Sequence, residues 1–215
     1  MPTRALVFDF DGTLADTESA VLQSWQETFL DHGVELPMEA WYAVIGTQHT
    51  THAMFALLAE RVPGIDPEAL RPVTRARVLK LLETLGPRDG VRNYLETAKD
   101  HGLKLAVASS SSGAWVNPHL ERLGIARYFD AVLTGDLHKA KPDPDLYLAA
   151  LDALQAEPTE TIAFEDTPHG VTSAKAAGLT CVAVPNAITE SLDFGRADVV
   201  LPSFTAKPLE ALLTH

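Results

Sequence analysis

The sequence predicts an α/β fold: a doubly wound, Rossmann-like parallel sheet with a small all-helical domain inserted into it. Three observations predict it. Short apolar runs alternate with helix-like stretches over most of the chain, the pattern of βα units. Most of these runs are continuously apolar, as parallel strands covered on both faces must be. One segment, from about Asp16 to Gly86, carries helical signal and no convincing strand.

The first strand is read at Ala5 to Asp9. Val21, Trp25 and Phe29 then recur at helical spacing, with Gly33 as the stop. Further helices are expected over Met38 to Ile45 and Gln48 to Glu60. Asp66-Pro67 opens a fourth, whose apolar face is read as Ala69, Val73, Ala76, Leu79 and Leu82. This gives a helical cap at 16–86 and an α/β catalytic core at 1–15 and 87–215, hinged at Leu14 to Asp16 and Gly86 to Asp89. In the core, Val91, Tyr94, Leu95 and Ala98 share a helical face that Gly102 ends. Strands are expected at Leu103 to Ala108, Ala131 to Thr134, Thr161 to Glu165, Thr180 to Val184 and Asp198 to Leu201. Asp143-Pro144 reads as an N-cap with proline at the first helical position, before an apolar face of Leu146, Ala149, Ala150 and Ala153. A last helix runs from about Gly170 to Ala177 and stops at Gly178.

The 215 residues, 46% hydrophobic and 21% charged, suffice for a sizeable core plus a small second domain. A net charge of −12 disfavours nucleic acid and anionic membrane surfaces as partners and is compatible with a monomer. No apolar run reaches transmembrane length, and the run before Asp9 is too short for a signal peptide, so a cytoplasmic protein is expected. The single cysteine, Cys181, excludes an intrachain disulfide and reads as a small buried hydrophobe.

Ligands of an α/β sheet gather at strand ends. Asp9-Phe10-Asp11-Gly12-Thr13 ends the first strand, and burying two carboxylates there costs several kcal/mol unless a cation lies close. Ser109 to Ser112 follow the second strand, Lys141-Pro142 the third, and Glu165-Asp166 end the fourth. Together they make an acid-rich metal site with an amine and hydroxyl donors beside it.

In this order, Asp9-Phe10-Asp11-Gly12-Thr13-Leu14, Ser109, Lys141-Pro142 and Glu165-Asp166 resemble the four signature motifs of the haloacid dehalogenase superfamily. The helical insertion, with Gly46-Thr47 inside it, is similar to the β-phosphoglucomutase-like and phosphoglycolate-phosphatase-like branch. The resemblance implies a Mg²⁺ ion held by Asp9, Asp166, the Asp11 carbonyl and Glu165, directly or through water, in keeping with the ion's preference for oxygen. It implies that Asp9 attacks phosphorus to form an aspartyl-phosphate, and that Asp11 protonates the leaving oxygen and then activates water. Lys141 neutralises charge, while Ser109, Ser110, Ser111 and backbone N–H groups near Gly12 bind phosphoryl oxygens. Dehalogenases of the superfamily usually lack the second aspartate, so Asp11 favours phosphate chemistry.

Family β-phosphoglucomutases carry a histidine four residues after the Asp-Thr pair and an arginine three after the cap glycine. This chain has Val21 and His49 there, which points to a phosphatase acting on a small phosphorylated metabolite, such as a sugar phosphate. The alternatives are a phosphosugar mutase and a catalytically inactive binding protein of the same fold. His49 and Arg75 are candidates for contacting the substrate from the cap; Asp16 reads as a helix cap, not a catalytic group.

Overall fold

The computed structural model describes residues 2–45 and 49–213, so the Gly46-Thr47 pair and Gln48 lie outside it. Six strands, β1 (Ala5–Phe8), β2 (Lys104–Ser109), β3 (Ala131–Thr134), β4 (Thr161–Glu165), β5 (Thr180–Ala183) and β6 (Val199–Val200), form one sheet in the order β3-β2-β1-β4-β5-β6. Every pairing is parallel. β1 lies between the two halves of the winding, so a crevice opens at its C-terminal end, where Asp9 and Asp11 follow.

The period of two along β1 divides the core. Leu6 and Phe8 enter one cluster with Tyr94 and Leu95 of α5 (Val91–Asp100) and Val116 and Leu120 of α6 (Gly113–Arg122). Ala5 and Val7 enter the other, with Leu146 and Tyr147 of α7 (Asp145–Leu154) and Val171 and Ala174 of α8 (Pro168–Ala176). Large rings fill the first face: Phe8 stacks on Phe164 with centroids 4.7 Å apart, and Tyr94 meets Phe164 edge-on at 5.7 Å. The second face is lined by small residues, Ala106, Ala108, Ala163 and Ala183, so α7 and α8 can approach closely. Cys181 is buried among them, and burial pushes its thiol pKa up, which suits an inert packing role.

Between β1 and α5 the chain forms four helices: α1 (Thr17–Asp31), α2 (Met38–Tyr42), α3 (Thr50–Arg61) and α4 (Pro67–Leu82). α1, α2 and α3 share an apolar cluster built on Trp25, Phe29, Trp41, Met54, Phe55 and Leu58, which Ile188 joins from the segment after β5, while α4 buries Val78 and Leu82 against Ala20 of α1. Asp16 caps α1, accepting from the Ser19 N–H at 3.2 Å and the Ser19 hydroxyl at 2.8 Å. The segments that enter and leave this region are tied together by the Arg88 N–H donating to the Leu14 carbonyl at 2.9 Å.

The structure corrects several expectations. α6 is a helix the pattern did not disclose, because Gly113 opens it and Pro118 lies inside it. On α4 the buried positions are Thr74, Val78 and Leu82, one (i, i+4, i+8) row, while Val73 and Leu79 are exposed. The expected face followed hydrophobicity; the helix instead packs where Ser24 Oγ donates to the Thr74 carbonyl. α7 starts one residue late, because Asp143 closes a turn by accepting from the Asp145 N–H at 3.1 Å. Its buried stripe is Leu146, Tyr147, Ala150, Leu151 and Leu154, and Ala153 faces solvent. α8 starts at Pro168, before Gly170, because Thr167 is its N-cap. Replacing Phe164, which touches Phe8, Tyr94 and Phe204, by alanine should lower unfolding free energy by about 3–5 kcal/mol in urea titration.

Candidate active site

The four strand-end segments converge. Phe10 is fully buried in the Phe8 cluster, so an apolar anchor sits between the two aspartates. Lys141 Nζ donates to Asp9 Oδ1 and to Glu165 Oε1, both at 2.6 Å, with all three residues buried. Tyr147 OH also donates to Glu165 Oε1, and the Asp166 N–H reaches Glu165 Oε2 at 3.3 Å. Asp166 accepts from Thr13 Oγ1 at 3.2 Å and Asn186 Nδ2 at 2.8 Å.

Two glycines are required by this packing. Gly12 has φ +84°, and a Cβ there would stand 2.0 Å from Asp166 Oδ2. A Cβ on Gly170 would stand 1.9 Å from Glu165 Oε2. Thus the loop after β1 and the first turn of α8 both close onto the carboxylates.

Ligand oxygens of Asp9, Glu165 and Asp166 lie within 4.8 Å of one another. Three carboxylates face the single ammonium of Lys141, leaving about the charge that one divalent cation would cancel. Burial opposes the charge on Lys141, but Asp9 and Glu165 outweigh it and hold the ammonium protonated above its ordinary range. Asp9 shares that lysine with Glu165, so burial and the neighbouring Glu165 and Asp11 still push its carboxyl up to about 7. Burial, then Asp9 and Glu165, likewise raise Asp166 well above the carboxylate range. Asp9 Oδ2 is buried and has no hydrogen-bond partner among the described residues. An orphaned carboxylate oxygen in an under-compensated oxygen cluster fits a hard divalent cation.

The Asp11 side chain turns the other way and is surrounded by donors. Thr17 Oγ1 (2.7 Å) and Trp115 Nε1 (2.8 Å) reach Oδ1, and Ser111 Oγ (2.6 Å) and Ser109 Oγ (3.4 Å) reach Oδ2. Ser110 Oγ accepts from the Lys141 N–H at 3.2 Å. The serine run, expected on phosphate oxygens, is therefore hydrogen-bonded to Asp11 and to the Lys141 segment here. Gly12 offers its carbonyl to Arg88 Nη1 at 2.6 Å.

A cavity of about 650 Å³ joins these groups to α1, α3 and α4. Asp9, Asp11, Ser109 to Ser112, Lys141 and Asp166 line it from the strand ends, and Glu18 and Trp25 of α1, Phe55 of α3, and Arg71 and Arg75 of α4 from the helices. Arg75 is among the residues that line the cavity. His49 is exposed at the start of α3, where the next residues, Thr50 and Thr51, line the cavity instead. Arg77 is engaged elsewhere, by Asp31.

Sequence reasoning missed Trp115, Tyr147, Asn186 and Arg88. Trp115 sits on the undisclosed helix α6. Arg88 ties the Gly12, Val184 and Pro185 carbonyls together, and the run Gly86-Pro87 before it gave only a hinge signal. Asn186 and Tyr147 carry no local motif.

Without a cation, the unfolded chain ionises Asp9 near its ordinary 3.8 and the folded chain only near 7, so this group's contribution to stability falls as pH rises between them. Added divalent cation should therefore raise the melting temperature more at about pH 8 than at about pH 5.5, relative to protein in chelator, in paired thermal scans.

Among the described residues, no helix is long and apolar enough to cross a membrane. The family profile for haloacid dehalogenase-like hydrolases matches residues 6–184. The Bacillus subtilis protein YhcW is 41% identical over 99% of this chain and 97% of its own length. The fructose-1-phosphate phosphatase YqaB of Escherichia coli is 34% identical, over 83% of this chain and 95% of its own. The crystal structure of CbbY from Rhodobacter sphaeroides in complex with xylulose 1,5-bisphosphate superposes with a TM-score of 0.75 at 28% identity, covering 94% of this chain and 95% of that one. With the motif order, the sheet topology and the clustered carboxylates in agreement, the chain belongs to the haloacid dehalogenase-like hydrolase family.

Proposed function

We propose that this enzyme is a Mg²⁺-dependent phosphatase that releases phosphate from a small phosphorylated metabolite, a sugar phosphate among the candidates. The observation that carries this reading is Asp9: one oxygen is fixed by Lys141, and the other is buried without a partner among the described residues, on the wall of the cavity. Phosphatase relatives, including one named for fructose 1-phosphate, support it.

In this reading an oxygen of the Asp9 carboxylate attacks phosphorus, the ester P–O bond breaks, and the leaving oxygen takes a proton from Asp11. Water then attacks the aspartyl-phosphate, its proton passes to Asp11, and the bond between phosphorus and the Asp9 oxygen breaks to restore Asp9. Asp9, Asp166 and Glu165, with the Asp11 carbonyl, would hold Mg²⁺, which supplies charge neutralisation to the phosphate dianion when bound. Lys141 keeps Asp9 oriented and favours its ionised form against burial. Thr17, Trp115 and Ser111 hold the Asp11 carboxyl between transfers, and Ser109, Ser110 and Ser111 are the nearest hydroxyls for phosphoryl oxygens.

We assign 1–15 with 87–215 as the catalytic core and 16–86 as a cap that covers the cavity and selects the alcohol part. The reading includes a cytoplasmic monomer: among the exposed large apolar side chains, Leu30, Leu137, Leu148 and Val200 stand on separate elements, and Val73 and Leu79 are six residues apart on α4.

Asp9→Asn should lower phosphate release from p-nitrophenyl phosphate and from fructose 1-phosphate by roughly 10³-fold or more, in a malachite green assay with Mg²⁺. Equal release by wild type and Asp9→Asn would sink the reading. Asp11→Asn should give a burst of nitrophenol near one equivalent followed by slow turnover, because that leaving group needs no proton whereas hydrolysis of the aspartyl-phosphate needs a base.

A further inference from the structure

Glu18 is a buried ionisable group that this chemistry does not use. Glu18 stands in the first turn of α1, 9% exposed, and lines the cavity. No hydrogen bond or ion pair reaches it from any described residue. It makes no capping hydrogen bond; Asp16 takes the Ser19 N–H. Glu18, Val21 and Trp25 form one (i, i+3, i+7) row on α1, and all three line the cavity, so the carboxylate lies along its wall with apolar side chains. Burial first, then Asp11, Asp9 and Asp16, push its carboxyl pKa well above the usual range. A side chain so placed is costly unless a ligand supplies donors.

The other charged groups of the cavity narrow the ligand that fits. Arg71 and Arg75 of α4 line the same cavity. Arg71 is paired with Glu68 at 2.9 Å and lies over the Phe55 ring, while Arg75 has no ion pair among the described residues. A neutral polyol can donate hydroxyls to Glu18 and accept from Arg75; an ammonium group would suit only Glu18. Asp9, Glu165 and Asp166 form the cation cluster, and Glu18 is not part of it.

We propose that Glu18 is a specificity-determining residue that receives hydroxyl groups of the substrate's alcohol part, so that the enzyme selects polyhydroxylated phosphate esters. This rests on the phosphatase reading. The reacting phosphate is handled by Asp9, Asp11 and Lys141, while Glu18, next to the Thr17 that binds Asp11 and close enough to feel the charges of Asp11 and Asp9, reads the carbon skeleton beside the reacting phosphate.

The test compares wild type, Glu18→Ala and the near-isosteric Glu18→Gln, each with Mg²⁺, on fructose 1-phosphate, p-nitrophenyl phosphate and O-phosphoethanolamine. The ratio of kcat/KM for fructose 1-phosphate over p-nitrophenyl phosphate should fall roughly tenfold to hundredfold in Glu18→Ala, mostly through KM, with Glu18→Gln between the two. In an Asp9→Asn background, calorimetric affinity for fructose 1-phosphate should fall by a similar factor when Glu18 is also replaced. Melting curves check that both variants fold, and Glu18→Gln decides the matter if Glu18→Ala does not. An unchanged ratio, or an equal loss on both esters, overturns the inference and leaves the phosphatase standing. A wild-type preference for phosphoethanolamine that Glu18→Ala abolishes overturns it in favour of an ammonium ligand. No phosphate release from any ester overturns both readings.

Discussion

Lys141 Nζ stands 2.6 Å from both Asp9 and Glu165, and the rest of the site is arranged around that shared ammonium. Two carboxylates on adjacent parallel strands would repel each other if buried alone. The lysine comes from the loop after β3, at the far edge of the winding, so its arrival depends on the sheet being assembled. Once it is present, Glu165 is further held by Tyr147, and α8 closes onto Glu165 through a glycine that leaves no room for a Cβ. The structure leaves Asp9 with one oxygen satisfied and one not, an asymmetry that suits both a cation and a nucleophile.

The two aspartates of the first motif therefore differ by environment. Asp9 is buried, under-compensated and pushed up to about 7 without a cation. Asp11, two residues later, is only partly buried and lies among hydroxyl and indole donors from the end of β2, from α6 and from the start of α1. Thr17 links Asp11 directly to the helical region, so a movement of that region relative to the sheet would be felt at the group proposed to carry the proton. Trp115 contributes to the same junction, packing beside Ala20, Val78 and Leu82 while its indole N–H holds Asp11.

The cavity has two chemical sets of lining groups. From the strand ends it is lined by carboxylates, an ammonium and serine hydroxyls; from α1, α3 and α4 it is lined by aromatic rings and guanidinium groups, with the Glu18 carboxylate near Asp11 between the two sets. The first set matches what every phosphate ester shares. The helical lining has Val21 where the mutase pattern carries a histidine, and it holds the differences by which one ester is told from another.

Much of this was legible in the residues. Continuous apolar runs gave the parallel strands within a residue or two, because a strand covered on both faces must be apolar throughout. Strand ends gave Asp9, Asp11, Ser109, Lys141, Glu165 and Asp166, because polar residues after such runs mark the ligand edge of the sheet. The buried face of α4 was misread because hydrophobic residues such as Val73 and Leu79 stand exposed beside a row that includes Thr74. Helix α6, and Trp115 with it, was hidden by glycine and proline within its span. By itself the sequence determined the fold class and the chemistry of the motif residues, since both follow from local pattern and residue type. Only the tertiary structure decided which oxygen of Asp9 is left unpaired, that Tyr147, Asn186 and Arg88 brace the site, and that Glu18 is buried without a partner among the described residues. Those are properties of side chains far apart in sequence and brought together by packing, and no local pattern encodes them.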